Sequence, residues 1–231
     1  MTEYRHENKY FINACDKVCL MLTAKEIMTG DSHADTENSY LIKSLYFDDY
    51  SDSCLREVID GVDNRSKFRI RYYNNDLSFI SLEKKIKKNG LTKKLSCRLT
   101  QEETYTLMNG NYSGLIGCAD DLKQQLLLEM QLRCLRPKVI VQYTRNPYVY
   151  RIGNVRVTFD NNLSSSVDVN RFLEKEIASR PVWRSGESLL EVKWDNVLPN
   201  HIKENLDLGH LQWTSFSKYC ACRLINGNGG I

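Results

Sequence analysis

The chain has 231 residues, 42% of them hydrophobic and 26% charged, with only 4 Pro, which excludes a disordered tail or a fibre and leaves a globular protein with enough apolar material for a core. Its 32 Lys and Arg exceed its 29 Asp and Glu by a net charge of only +3, so it is no polycation and any strong positive field must come from clustering. The 8 Cys lack CxxC spacing and only 4 His are present, which argues against structural zinc. With no apolar leader in residues 1–7 and no run long enough to span a membrane, a reducing, cytoplasmic setting is expected.

No Gly/Ser/Pro-rich linker divides the chain, so residues 1–231 are expected to form one domain with 226–231 as a flexible tail. Residues 4–12 read as a strand, with Arg5, Glu7 and Lys9 on one face and Tyr4, His6, Asn8 and Tyr10 on the other. Residues 14–29 carry apolar side chains at helical spacing up to Gly30, and 30–38 read as a loop. Residues 40–47 alternate as a strand. Ser51 or Asp52 can then cap a short helix running to about 59.

The densest cation pattern lies in residues 67–98. Alternation puts Arg69 and Arg71 on one strand face and Phe68, Ile70 and Tyr72 on the other, and then groups Glu83, Lys85 and Lys87. Asn89-Gly90 is a hairpin signal that folds Lys94 back beside Lys85, although a one-residue slip would substitute Lys93. Like charges on neighbouring strands repel, so such a face is best tolerated when an anion lies between them.

Thr100 and Glu103 form a capping box for a helix over 100–108, and a second helix is expected over 119–135. Residues 138–143, continuing through Thr144 and Arg145, then 149–152 and 154–160 read as strands, the last placing Arg156, Thr158 and Asp160 together. The polar segment 161–187 is irregular, with a short helical piece at 172–178. Residues 188–194 give a strand with Glu191 and Lys193 on one face, and helices at 200–206 and 216–224, the latter carrying Lys218, close the chain.

Many short antiparallel strands with one charged and one apolar face make sense as a closed eight-stranded β-barrel, charges inside and helices outside, an α+β fold. A lumen holding Arg5, Lys9, Arg69, Arg71, Lys85, Lys94, Arg145, Arg156 and Lys193 requires compensating acids, water and bound anions. Phosphate chains suit it, because Arg offers planar forks of donors and Lys offers point charges. Glu7, Glu83 and Glu191 on the same faces are candidate ligands for a divalent metal, Glu191 first, or else salt-bridge partners of the cations. No P-loop, GxGxxG, HRD or DFG motif is present. Nucleic acid is disfavoured, because the cations alternate with acids instead of spreading over an aromatic platform.

Eight motifs in order, Arg5-x-Glu7-x-Lys9-Tyr10, Ser44-Leu45-Tyr46-Phe47-Asp48, Arg69-Ile70-Arg71-Tyr72, Leu82-Glu83-x-Lys85, Tyr143-x-Arg145, Val155-Arg156-Val157-Thr158-Phe159-Asp160, Leu190-Glu191-Val192-Lys193 and Phe216-Ser217-Lys218-Tyr219, resemble the VTC domain. That is the polyphosphate polymerase domain of the vacuolar transporter chaperone family, a branch of the triphosphate tunnel metalloenzymes, or CYTH-like superfamily. The resemblance implies an eight-stranded tunnel that moves the γ-phosphate of ATP onto inorganic polyphosphate with Mn2+ or Mg2+. It implies that Lys9, Arg69, Arg71, Lys85, Lys94, Arg145, Arg156 and Lys218 grip phosphates and that Glu191 holds the metal. Arg5, Lys87, Lys193 and Tyr143 are further candidates for contact with substrate. Hydrolase and cyclase branches usually begin Glu-x-Glu-x-Lys. Arg5 at the first of those positions favours holding a phosphate chain over activating water. A tripolyphosphate or nucleoside-triphosphate phosphohydrolase and a non-catalytic polyphosphate-binding module stay open as alternatives. No direct membrane insertion is expected, and a membrane or protein partner is left open.

Overall fold

The computed structural model describes residues 4–31, 34 and 37–227. In chain order they form β1 (His6–Ile12), α1 (Ala14–Ile27), the short β2 (Thr29–Gly30), β3 (Tyr40–Asp48), α2 (Ser53–Ile59), β4 (Arg65–Tyr73), β5 (Asp76–Lys88) and β6 (Leu91–Leu99). There follow α3 (Gln101–Met108), α4 (Asp121–Leu132), β7 (Arg136–Tyr150), β8 (Val155–Ser166), the short β9 (Arg180–Pro181), β10 (Ser188–Trp194), α5 (Asn200–Asn205) and α6 (Lys218–Asn226). The strands form one antiparallel sheet, ordered β1-β10-β8-β7-β3-β4-β5-β6, with β2 beside β7 and β9 beside β8.

The eight strands of the main path curl until the edges β1 and β6 meet. They meet at one antiparallel bridge, Arg5 to Thr92, with backbone hydrogen bonds of 2.8 and 2.9 Å. A full ladder does not close the expected barrel, because past this bridge the other side of β1 is taken by residues 213–217: Trp213 bridges Tyr10, and the Thr214 N–H donates to the Lys9 carbonyl at 2.8 Å.

Apolar strand faces point outward, where helices cover them. Phe68, Ile70, Tyr72 and Leu82 are buried in one cluster with Leu107 and Met108 of α3 and Leu126 and Met130 of α4. A second cluster joins Val155, Val157, Phe159, Leu190 and Val192 to Leu20 and Ala24 of α1 and Ile202 of α5. With the core outside the sheet, its concave face is left to polar side chains. The hairpin between β5 and β6 turns on Asn89 (φ 51°) and Gly90 (φ 74°), both left-handed, as a tight two-residue turn requires. That turn pairs Lys85 with Lys94.

The capping box of α3 forms as expected, Thr100 and Glu103 bonding each other's backbone N–H. Other local expectations need correction. Neither Ser51 nor Asp52 caps α2 through its side chain. Carboxylates at the end of β3 and just beyond it do so, Asp48 accepting from the N–H groups of Cys54 and Leu55 and Asp49 from that of Ser53. β7 runs unbroken through Pro147, which lies beyond the last residue that β3 pairs, so its missing N–H costs no ladder bond there. β8 runs on to Ser166, and no helix forms at 172–178. Two carbonyls that a helix would use are held instead from the sheet, Phe172 by the Tyr72 hydroxyl at 2.5 Å and Glu174 by Lys43 Nζ at 2.6 Å. Asn226, read as the start of a tail, ends α6, and residues 228–231 lie outside the described residues.

Candidate active site

The concave face encloses a cavity of about 520 Å³. Twelve Lys and Arg side chains line it against three carboxylates, Glu7, Glu191 and Asp195. Adding the acids that pair with lining cations from behind the wall, Asp31, Glu83 and Asp160, still leaves cations ahead two to one. Strand alternation builds this: Lys9 faces Glu191, Glu7 faces Lys193, Lys193 faces Arg156 and Arg145 faces Asp160 in register.

Three acidic knots hold the cations apart. Glu7 takes Lys85 at 2.9 Å and Lys9 at 3.0 Å, and the Thr92 hydroxyl donates to it at 3.3 Å. Glu191 takes Lys218 at 2.6 Å and Arg145 and Lys193 at 3.2 Å each. Asp160, fully buried beneath it, receives the Arg145 fork at 2.5 and 2.7 Å and Lys218 at 2.5 Å. Glu83 takes Arg69 at 2.6 Å and Lys94 at 2.9 Å, with Arg71 at 3.7 Å. Burial opposes ionisation of Glu7, but Lys85, Lys193 and Lys9 outweigh it and hold the carboxyl well below its usual range. Glu191 is held down in the same way, against burial, by Lys218, Lys193 and Arg145. The carboxylates are therefore charged, and poor bases. Burial pulls the Lys85 ammonium down to about 7 although Glu7 props it up.

Tyrosines complete the wall. The Tyr46 hydroxyl accepts from Arg69 at 2.7 Å, and the Tyr143 ring lies under both Arg145 and Lys218, at 5.4 and 5.0 Å. A profile of the VTC domain matches residues 4–225.

The chain belongs to the VTC domain family. Two solved structures share the fold of this VTC domain. One is a candidate adenylate cyclase from Bacillus halodurans, 13% identical with a TM-score of 0.54 over 94% of this chain and 95% of that one. The other is a candidate adenylyl cyclase from Hippeastrum reported to have a dominant triphosphatase activity, 14% identical with a TM-score of 0.57 over 97% of this chain and 96% of that one. Among curated proteins, no sequence matches.

The VTC domain brings most of the residues singled out from sequence to one cavity wall: Arg5, Lys9, Arg69, Arg71, Lys85, Lys94, Tyr143, Arg145, Arg156, Lys193 and Lys218, with Glu7 and Glu191. Lys94 and not Lys93 reaches Glu83, while Lys93 lies over the Tyr4 ring at 5.6 Å. Lys87 is set apart, on a neighbouring cavity of about 290 Å³. Arg5 sits at the rim, its Nε 2.7 Å from Asp195, so its charge is matched locally instead of adding to the field. Lys67 and Asp160 were missed as site residues. Alternation already put Lys67 on the face of Arg69 and Arg71, but it fell in no recognised motif.

A divalent metal fits part of this acidic set. Among the described residues no three acidic, His or Cys side chains form a cage. A hard cation such as Mg2+ needs only one or two carboxylates when phosphate oxygens complete its shell. Glu191 and Glu7 are ionised oxygen donors on the cavity wall, and the Thr158 hydroxyl, opposite Glu191 in register, is buried without a hydrogen-bond partner. Glu83 does not fit. It is 1% exposed and, unlike Glu7 and Glu191, does not line the cavity.

Proposed function

We propose that this VTC domain is a metal-dependent polyphosphate polymerase that transfers the γ-phosphate of ATP onto a growing inorganic polyphosphate chain. The observation that carries this reading is twelve Lys and Arg side chains lining one cavity, in two-to-one excess even with the acids behind the wall counted, which suits several linked phosphates better than one. Arg69, Arg71, Arg145 and Arg156 offer forked donors to non-bridging oxygens, and Lys9, Lys85, Lys94, Lys193 and Lys218 neutralise the charge as it shifts from donor to acceptor. Glu191 and Glu7 would hold Mn2+ or Mg2+, which when bound supplies further charge neutralisation between phosphates. An acceptor phosphate is already anionic and needs no strong base, and neither Glu7 nor Glu191 is basic enough to serve as one.

A triphosphate hydrolase is the second reading. It is favoured by the triphosphatase activity reported for the Hippeastrum neighbour and by the pairing of Arg5 with Asp195, which removes the extra cation that spoke for a polymerase. Incubation with ATP, Mn2+ and a short phosphate primer, resolved on a urea gel, separates them. A ladder that lengthens with time and vanishes in Glu191→Gln is expected. Free phosphate without a ladder would mean hydrolysis, and tight binding without turnover would mean a binding module.

A further inference from the structure

The neighbouring cavity of about 290 Å³ opens beside the bridge that joins β1 to β6 and shares Glu7, Lys9, Lys67, Lys85, Thr92 and Ser217 with the main cavity. These six residues are a common wall. Of its three cations, Lys9 and Lys85 are both tied to Glu7, at 3.0 and 2.9 Å. Lys67 differs: among the described residues no carboxylate lies within ion-pair distance of it. Its Nζ makes one hydrogen bond, to the Ser217 hydroxyl at 3.2 Å, and stands over the rings of Tyr219 and Tyr46 at 5.1 and 5.9 Å. Ring faces hold an ammonium in place without neutralising it, and an ammonium has three donors, so two remain to be used. Beyond the shared wall, Arg65 and Lys87, opposite each other in register, add two cations to the second cavity against one further carboxylate, Glu57.

A half-buried cation surrounded by other cations and left without an acid is costly unless an anion completes it. We propose that Lys67 is a further phosphate-binding residue, and that it carries the phosphate-binding path across the shared wall toward Arg65 and Lys87. This rests on the reading of the main cavity as a phosphate-chain site. Burial pulls the free Lys67 ammonium down to about 8, Tyr46 supporting its charge while Lys9, Arg69 and Arg65 repel it, so an arriving oxyanion recharges it. Binding near pH 8 therefore draws protons from solution on account of Lys67.

Calorimetric titration of the protein with tripolyphosphate at pH 8, in two buffers of different ionisation enthalpy, tests this. Lys67→Gln is expected to lower affinity at least tenfold. Lys67→Arg is expected to keep affinity within about threefold yet take up fewer protons, because a guanidinium stays charged at pH 8. Wild-type affinity in Lys67→Gln, or undiminished proton uptake in Lys67→Arg, overturns the proposal, and the Arg variant decides if the Gln variant does not fold. Arg69→Ala separates the two readings. If it loses tripolyphosphate while Lys67→Gln binds normally, the main cavity stands and Lys67 falls. If the wild-type protein does not bind tripolyphosphate, both fall.

Discussion

Replacing Glu83 by Gln removes the one negative charge that Arg69, Arg71 and Lys94 share in a buried setting. Breaking a buried pair leaves uncompensated cations, so Glu83→Gln should lower unfolding free energy by about 3 kcal/mol, read as a shifted urea midpoint at unchanged slope. An unshifted midpoint would mean that water already screens the knot. Burial opposes ionisation of Glu83 and the three cations more than reverse it, so its stabilisation is present above the ordinary carboxylate range near 4.5 and is lost as pH falls below it. The lysines act in the opposite sense. Lys85 and Lys67 are pulled by burial to about 7 and about 8, from an ordinary value of 10.5 that the unfolded chain restores. The unfolded state then binds more protons, and their cost to folding, full below about 7, is relieved as pH rises toward 10.5. Between pH 7 and 9 the thermal midpoint of the free protein should rise while tripolyphosphate affinity falls. A parallel trend in both would exclude these lysines from the anion site.

Among the elements, the β5–β6 hairpin shows what could be read in advance. Asn89-Gly90 announced both the turn and its register, and the register decided that Lys94 meets Glu83. A Cβ at Gly90 would meet nothing within 4 Å, so Gly90→Ala should cost only the strain of its positive φ, about 1 kcal/mol, with phosphate binding retained. Lost binding would show that the turn itself contacts ligand. Alternation likewise exposed the cation faces, because a period of two is a local property of the chain. Segment 161–187 was illegible for the converse reason. Its shape is set by Tyr72 and Lys43 gripping the carbonyls of Phe172 and Glu174 across 100 and 131 residues, a tertiary fact with no local trace. The end of β3 is similar. Asp48 accepts from the Tyr219 hydroxyl at 2.5 Å as well as from two amides of α2, so one side chain ties α2 to α6. Asp48→Ala should cost about 3 kcal/mol and shift the urea midpoint, where a merely local cap would cost about 1.

For the molecule as a whole, a net charge of +3 conceals a wall whose cations outnumber acids two to one even with the acids behind it counted. Tripolyphosphate at a hundred times its Kd should add about 2.7 kcal/mol of stability and raise the thermal midpoint, whereas adenosine, which carries no phosphate, should not. Equal shifts would place the affinity outside the cation wall. No helix among the described residues is long and apolar enough to cross a membrane. The contact between β1 and β6 sets how the cavity can be entered. Its two backbone hydrogen bonds contribute about 1 kcal/mol each, and the Thr92 hydroxyl and Lys85 reach across to Glu7 beside them, so a few contacts hold this seam where every other strand pair of the main path has a ladder. Hydrogen exchange at the Arg5 and Thr92 amides should accordingly be slowed far less than in the continuous ladders. For a long polymer that is the difference between a needle's eye and a carabiner, since a clasp that springs open admits the middle of a thread as well as its end.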